Sequence, residues 1–488
     1  MIYRKLIFLI SLLWLSSTIS AQYFGGEKND NGIYFCENNN SFYLTGTVRS
    51  FGSGSEDVTL VKVSSDYQHL YHVEWGGIHH DISTKIISIS DQNLLVIGHS
   101  WDAPGTRTGG FVTKYDTAGA ILWTSYFGGN DDDYIFNTIE TFDKGFLITG
   151  LNRAAGVSGA TFLIKINKDG VKEWEKFYDT NNNDIGMDVI ECSDSSILLL
   201  VNTSSFADKI AHVSEYISND ASKIILLKTD KMGNEIWRKY FGGINHDFGK
   251  RIVTDGNNYF YFVGSSLNNT NGSFDLTLNK IDSAGNEIWR KNYGGVGYEY
   301  GNDIDMDVDG NLLLTGTSSS FTLDEIPNIY CLKTDSSGTV VWENNFGGNF
   351  SEYGNCGKFL NDGTIAVLGS SNSRNGLDFD FYFIKLDASG EVIKLLDEII
   401  SPPIDTTIQY MIYPNPARTF VKITLPNEGS QEESFEFTLF DITGKIVKKE
   451  VFNQLSGTIY FDSLLSIGVY VYTIKTSMST HKGKIIIN

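Results

Sequence analysis

The sequence predicts an all-β chain: a seven-bladed β-propeller followed by a small C-terminal antiparallel β-sandwich. Three observations predict it. A phrase of the form FGG or YGG recurs at nearly constant spacing. Each copy holds four short strand-like runs with no helical periodicity. The repeat then stops at Pro402-Pro403, and a different alternating pattern begins. The expected division is a leader at 1–21, the propeller at 22–400, a linker at 401–410 and a second domain at 411–488.

The chain has 488 residues, 41% of them hydrophobic, with 49 Gly, 7 Pro and 4 Cys. This composition excludes a collagen, a disordered tail and a disulfide-stapled miniprotein. The net charge is -21, and residues 404–488 hold 8 basic and 8 acidic residues. The acidity therefore belongs to the middle of the chain, which repels nucleic acid and anionic lipid, so no nucleic-acid partner is expected.

Met1 to Ala21 reads as a secretory leader: Arg4 and Lys5 form the positive end, Leu6 to Leu15 is apolar but for Ser11, and small polar residues follow. No later apolar run reaches the roughly 20 residues of a spanning helix, so no transmembrane segment is expected in the mature protein.

The repeat phrase ends at Gly26, Gly77, Gly129, Thr180, Gly243, Gly295 and Gly348, in steps of 51, 52, 51, 63, 52 and 53 residues. In the third copy the strands read as Ile135 to Thr141, Phe146 to Leu151, Phe162 to Asn167 and Val171 to Tyr178. Asp143-Lys144-Gly145 and Lys168-Asp169-Gly170 supply the turns, where Gly or Asn permits a positive φ. Four antiparallel strands every 52 or so residues describe a propeller blade. Trp75, Trp123, Trp174, Trp237, Trp289 and Trp342 share one repeat position and read as wedges between blades. Trp101 lies in a loop, free for recognition. The seventh copy has Lys394 where Trp is expected, so the start QYFGG is expected to complete the last outer strand.

A second register is electrostatic. Asp30, Asp81, Asp133, Asp184, Asp247, Glu299 and Glu352 precede the innermost strand, and Lys62, Lys114, Lys165, Lys228, Lys280, Lys333 and Lys385 lie in the third. The acidic set is expected to ring the axis on the face that carries the loops between second and third strands. It could accept turn N–H groups, pair with the repeat lysines, or hold a cation or cationic ligand. The fourth copy is longer by an insertion between Thr203 and Lys223; its His212, Glu215 and Tyr216 join Trp101 as candidate binding-loop residues.

No metal or cofactor is required by the pattern, calcium being the one candidate. Asp305-Met-Asp307-Val-Asp309-Gly310 opens like a calcium loop, but the twelfth position is Gly316 and no helices flank it. Asp131-Asp132-Asp133 remains as a calcium candidate. Cys36, Cys192, Cys331 and Cys356 read as small buried hydrophobes, with a Cys36–Cys356 disulfide as the alternative. His79-His80-Asp81 and His246-Asp247 have no evident nucleophile, and no G-x-S-x-G, HExxH or phosphate loop occurs. No unique polar residue is expected to interrupt the repeat near the axis.

After the linker come Tyr413-Pro414-Asn415-Pro416, strands at Phe420 to Leu425 and Phe435 to Asp441, the turn Thr443-Gly444-Lys445, Gly468-Val-Tyr470-Val-Tyr-Thr-Ile474, and the final strand Gly483-Lys484-Ile-Ile-Ile-Asn488. This alternation predicts the β-sandwich. YPNPARTFVKITLP, FTLFDITGKIVKK, GVYVYTIKTS and KGKIIIN, in that order, resemble the C-terminal sorting domain of the type IX secretion system of Bacteroidetes. The resemblance implies Sec export, passage over the outer membrane by the type IX machinery, and a destination at the cell surface or outside it.

The expected function is a non-catalytic binding or adhesion module that meets a glycan or protein with its loop face. The alternatives are a polysaccharide hydrolase or lyase using axial carboxylates, and a purely structural surface protein.

Overall fold

The computed structural model describes residues 22–488 except 53–54, 102–107, 129–131, 154–158, 181, 205–221, 257, 268–272, 323–324, 375, 394–410, 414–419, 425–433, 442–444, 454–455, 462–464, 466–467, 477–479 and 488. Among the described residues there are no α-helices, and so no helix long and apolar enough to cross a membrane. The expected leader at 1–21, the expected linker at 401–410 and residues His212, Glu215 and Tyr216 lie outside them.

Between Gln22 and Val392 lie seven four-stranded antiparallel sheets, numbered 1 to 7 in chain order. Their first strands are Asp30–Asn38, Asp81–Ser88, Asp133–Glu140, Asn183–Glu191, Asp247–Thr254, Glu299–Met306 and Glu352–Phe359. These first strands adjoin in cyclic order, and that of sheet 7 touches that of sheet 1. The arrangement is propeller-like. One hydrogen bond recurs between neighbours: in six of the seven sheets the N–H of the acidic residue donates to a carbonyl just before the third strand of the preceding sheet. Asp81 reaches Glu56, Asp133 reaches Thr108, Asp247 reaches Ser222, and Asp30 reaches Phe379 at 2.6 Å, joining sheet 1 to sheet 7.

The outer strand of sheet 7 is assembled from both ends of the repeat region. Val392 bridges Leu386, and Gln22–Phe24 then pairs antiparallel with Phe381, Tyr382 and Phe383. Gln22 and Phe24 are buried there, so the segment QYF is core rather than tail.

Every first strand carries a bulge two residues after its acidic position, as between Gly32 and Tyr34 or Gly249 and Arg251. A bulge leaves one residue unpaired and re-aims its neighbours. In sheets 1, 2, 3, 5, 6 and 7 the second strand answers with glycine; at Gly264, for example, the Phe248 carbonyl occupies the space a Cβ would need.

The outer strands dock on the next sheet. Trp123, Trp174, Trp237, Trp289 and Trp342 each cover the turn glycine of the following sheet, at Gly170, Gly233, Gly285, Gly338 and Gly390. Each also pairs opposite the repeat lysine, as Trp123 does with Lys114. Trp75 departs from this expectation. In sheet 1 the residue opposite Lys62 is Tyr71, and Trp75 pairs with Val58 four residues on. Trp75 stands for the aromatic of the FGG phrase, and its ring packs on Phe111 at 4.6 Å.

The turns also differ in one respect. Gly170 has a positive φ of 80°, but in the first turn of sheet 3 the left-handed residue is Lys144, at 68°, rather than Gly145. Gly145 is small for another reason: Lys165 Nζ fills the space where its Cβ would stand. All four cysteines are free, with Cys36 half-buried and the others buried, so the Cys36–Cys356 pairing does not form. Burial pushes the Cys331 thiol up to about 12.

Beyond the linker, Met411–Tyr413, Phe420–Thr424 and Ser456–Tyr460 form a three-stranded sheet. Ile446–Phe452, Phe435–Phe440, Gly468–Lys475 and Thr480–Ile487 form a four-stranded one, in that spatial order. Val421, Ile423 and Ile459 of the first share one apolar cluster with Phe437, Leu439, Ile474 and Ile485 of the second.

Candidate functional site

The FGG phrase and the acidic register form one device. The second glycine's N–H donates to the carboxylate four residues on: Gly26 to Asp30 and Gly77 to Asp81 at 2.7 Å, Gly243 to Asp247 at 2.7 Å, Gly295 to Glu299 at 3.0 Å and Gly348 to Glu352 at 2.9 Å. The first glycine leaves room for that carboxylate, since a Cβ on Gly242 or Gly294 would overlap it. In the degenerate copy Thr180 donates both its N–H and its hydroxyl to Asp184. Further donors close the shell: Ser318 and Ser320 onto Glu299, Ser371 and Ser373 onto Glu352, Arg290 onto Asp247 at 2.5 Å, and Asn152 onto Asp133. All seven carboxylates are at most 3% exposed.

The repeat lysines answer a different acid. Lys114, Lys165, Lys333 and Lys385 pair with Asp91, Asp143, Asp307 and Asp362 at 2.5 to 3.3 Å, and Lys228 lies 3.7 Å from Asp194. These aspartates sit in the hairpin between first and second strands, at the opposite ends of the strands from the acidic set. Burial acts against the ionised form of Asp143 and Asp362, yet hydrogen bonds from Thr141 and Thr364 and from the paired lysines hold both down at about 2. Asp307 accepts the N–H groups of Asp309 and Asn311, so the calcium-like run is a self-satisfied turn.

On the loop face, aromatic rings gather beside the acidic positions. Trp101 is not free: it lies 5.5 Å from His80 and from His99, and 6.3 Å from Tyr134. His80 Nδ1 donates to the Glu56 carboxylate at 2.8 Å, and Arg49 donates to the same carboxylate. Burial pushes His99 down to about 4 despite Glu56 nearby. Across the ring, Phe248, Phe274, Tyr300 and Tyr298 form a chain of contacts at 5.2 to 5.9 Å, and Tyr353 meets Phe379 at 5.5 Å. A groove of about 450 Å³ also runs between sheets 2 and 3, lined by Tyr126, Phe127, Phe177 and Lys172 among others.

The axis holds the polar residues that repeat reading did not expect. Four places after each acidic residue, just past the bulge, stand Tyr34, Lys85, Asn137, Asp188, Arg251, Asp303 and Cys356. Sheet by sheet they are nearly all different, and all are buried. Lys85 donates to Asn137 at 2.6 Å, Tyr34 to Asp303 at 3.4 Å, and Asp188 receives the Ile252 N–H at 2.8 Å. Lys358 of sheet 7 lies 3.0 Å from Asp303 and 3.5 Å from Asp305. The Tyr34 ring has Lys85, Arg251 and Lys358 within 5.7 Å of its centre. Contact between sheets 1 and 5 is possible only across the axis. Burial lowers Lys85 to about 8, with Asp188 opposing. Burial also disfavours charged Lys358, but Asp303, then Tyr34 and Asp305, outweigh it and raise that ammonium well above its usual range. The signal available in the sequence was polarity: six of the seven residues at this repeat position are charged or hydrogen-bonding.

In the C-terminal segment, Tyr413 and Gly468 lie in strands, Tyr470 is buried, and Lys484 pairs in register with Val471. Pro414, Asn415, Pro416 and Gly444 lie outside the described residues.

Comparison with curated proteins finds no match. Among solved structures, the chain is similar to the β-propeller domain of the Trilobed protease from Pyrococcus furiosus, at 10% identity over 76% of this chain and 97% of that one, with a TM-score of 0.43. It is also similar to a puromycin hydrolase, at 10% identity over 82% of this chain and 59% of that one, with a TM-score of 0.49. The acylaminoacyl peptidase of Pyrococcus horikoshii gives 12% identity, 83% and 59% coverage and a TM-score of 0.43. At such scores these likenesses carry nothing about activity. Residues 411–488 match the family of secretion system C-terminal sorting domains. The segment is therefore a type IX sorting domain, and the protein is exported to the cell surface or released.

Proposed function

We propose that the chain is an exported, non-catalytic binding or adhesion module: a seven-bladed β-propeller at 22–400, a linker at 401–410, and a sorting β-sandwich at 411–488 that engages the type IX machinery. Residues 1–21 serve as the leader. A glycan or protein partner meets the loop face. The observation that supports this reading is the set of half-buried rings on that face, with Trp101, Tyr134, Phe248, Tyr300 and Phe379 each half-buried and Tyr353 exposed. Aromatic faces supply contact area to sugars and side chains at small entropic cost. Asp30, Asp81, Asp133, Asp184, Asp247, Glu299 and Glu352 frame that face by holding its turns, and His212, Glu215 and Tyr216 remain binding candidates on the length of the fourth copy alone.

The test is glycan-array binding by the chain from Gln22 onward, with and without EDTA. Retention of one glycan class supports the reading, and loss of that signal in EDTA adds calcium to it. Absence of any retained glycan, together with no surface partner captured by crosslinking on intact cells, would sink it. A second reading, cleavage of a polysaccharide, draws on the axial mixture of carboxylates and cations. Release of reducing ends by the chain, abolished by Asp303→Asn, would favour that reading instead.

A further inference from the structure

We propose that the axial cluster is a binding site for a small carboxylate, held by Arg251, Lys85 and Asn137. The inference deepens the binding reading and rests on it, because it names the chemistry of a ligand that the propeller takes.

Three observations carry it. The first is the donor set. Arg251 Nη1 donates to the Met187 carbonyl at 3.1 Å and the Lys250 carbonyl at 3.2 Å, whereas its Nε, buried, has no hydrogen-bond acceptor. That Nε lies 3.9 Å from Asp303 Oδ1, too far for a hydrogen bond. Asn137 presents its oxygen to Lys85 and leaves its buried Nδ2 without an acceptor. Asn137 is fully buried and Arg251 is 8% exposed. Two orphaned donors in such a place cost stability until an acceptor meets them.

The second observation is the charge. Lys85, Arg251 and Lys358 stand with Asp188, Asp303 and Asp305, and half-buried Lys250 beside Arg251 adds one cation, in a chain of net charge -21. A cation without a counter-ion of its own is stabilised by an added anion. A carboxylate suits it, since it can take two parallel N–H bonds from one guanidinium edge and further donors from an amide and an ammonium.

The third is origin. Lys85 and Asn137 come from the adjacent sheets 2 and 3, and Arg251 from sheet 5, which meets them only at the axis. Their neighbours on the bulge, Ile33, Thr84, Phe136, Lys250, Asn302 and Asn355, are half-buried rather than buried. Solvent thus reaches the adjoining layer, and a ligand of a few atoms can follow.

The test is isothermal titration of the chain from Gln22 onward with acetate and, separately, with glucuronate, at constant ionic strength set by sodium chloride. The expected result is saturable binding at one site per chain, weakened at least tenfold by Arg251→Lys and by Asn137→Leu. Acetate and glucuronate binding alike points to a free carboxylate, while glucuronate alone points to one carried on a sugar. No saturable heat from either probe overturns the proposal, as does binding unchanged in both variants. Should Arg251→Lys fail to fold, Asn137→Leu and an electron-density map of crystals soaked in acetate decide: carboxylate density beside Arg251 Nε supports the site, and its absence there overturns it. If neutral glycans bind the array while both carboxylates stay silent, this inference fails and the binding reading stands.

Discussion

The carboxylate of Asp247 shows how a charged residue can be repeated seven times for reasons of architecture. It accepts the Gly243 N–H and the Arg290 guanidinium while itself 0% exposed. Removing it leaves a half-buried cation and a turn N–H without a partner. Asp247→Ala is therefore expected to lower unfolding free energy by about 2 to 4 kcal/mol, measured by urea denaturation. A ligand-holding carboxylate would instead change binding with little loss of stability. His99 gives a pH dependence whose sign follows from its environment. Burial holds its folded pKa at about 4 against 6.5 for a free imidazole. Between those values the unfolded chain binds a proton and the folded chain does not, so this contribution is full above pH 6.5 and is lost as pH falls towards 4. The slope from this one residue is at most about 1.4 kcal/mol per pH unit. Stability curves of the parent and His99→Gln should converge on acidification across that window; curves that remain parallel would refute the assignment.

Strands and turns were the most legible level of the sequence. The third copy's four strands fall within two residues of their expected limits, because hydrophobic runs and Asp-x-x-Gly punctuation are local signals. Trp75 takes the FGG position and not the tryptophan one: it precedes Trp123 by 48 residues where Tyr71 precedes it by 52, and the cross-strand register agrees. The axial residues were not read as a site at all. Their meeting depends on seven bulges closing round one axis, which no local window contains, and a varied position in a repeat looks like drift until the ring is seen. Two predictions belong at this scale. Gly170→Ala should destabilise by about 2 kcal/mol, since its φ is 80° and its Cβ would press on Trp123. Gly256→Ala, at φ 76° with open space around it, should cost only the backbone strain of about 1 kcal/mol; equal losses in urea titrations would contradict the wedge role of Trp123. Starting the chain at Gly25 should lower stability by about 3 kcal/mol or more, through the lost ladder and the buried Phe24 ring. Unchanged melting of that truncated chain would mean the composite strand does not close the sheet.

The molecule as a whole joins an address to a scaffold. The address was legible because residues 411–488 carry their motifs in linear order, whereas the proposed binding face depends on which side chains the fold brings together. Removal of 411–488 should abolish appearance of the protein outside the cell, with the truncated chain found in the periplasmic fraction by immunoblot; unchanged export would detach the address from the segment. Loop-face binding is the central claim, and it separates the two faces of the ring. Its most direct measurement is glycan-array binding by the parent chain, by a loop-face variant carrying Trp101→Ala, Tyr300→Ala and Tyr353→Ala, and by a hairpin-face control, Phe142→Ala, whose ring is 65% exposed. Loss of signal in the loop-face variant with the control unchanged is the predicted result. Signal that survives the three substitutions, or that falls with Phe142→Ala alone, would contradict it.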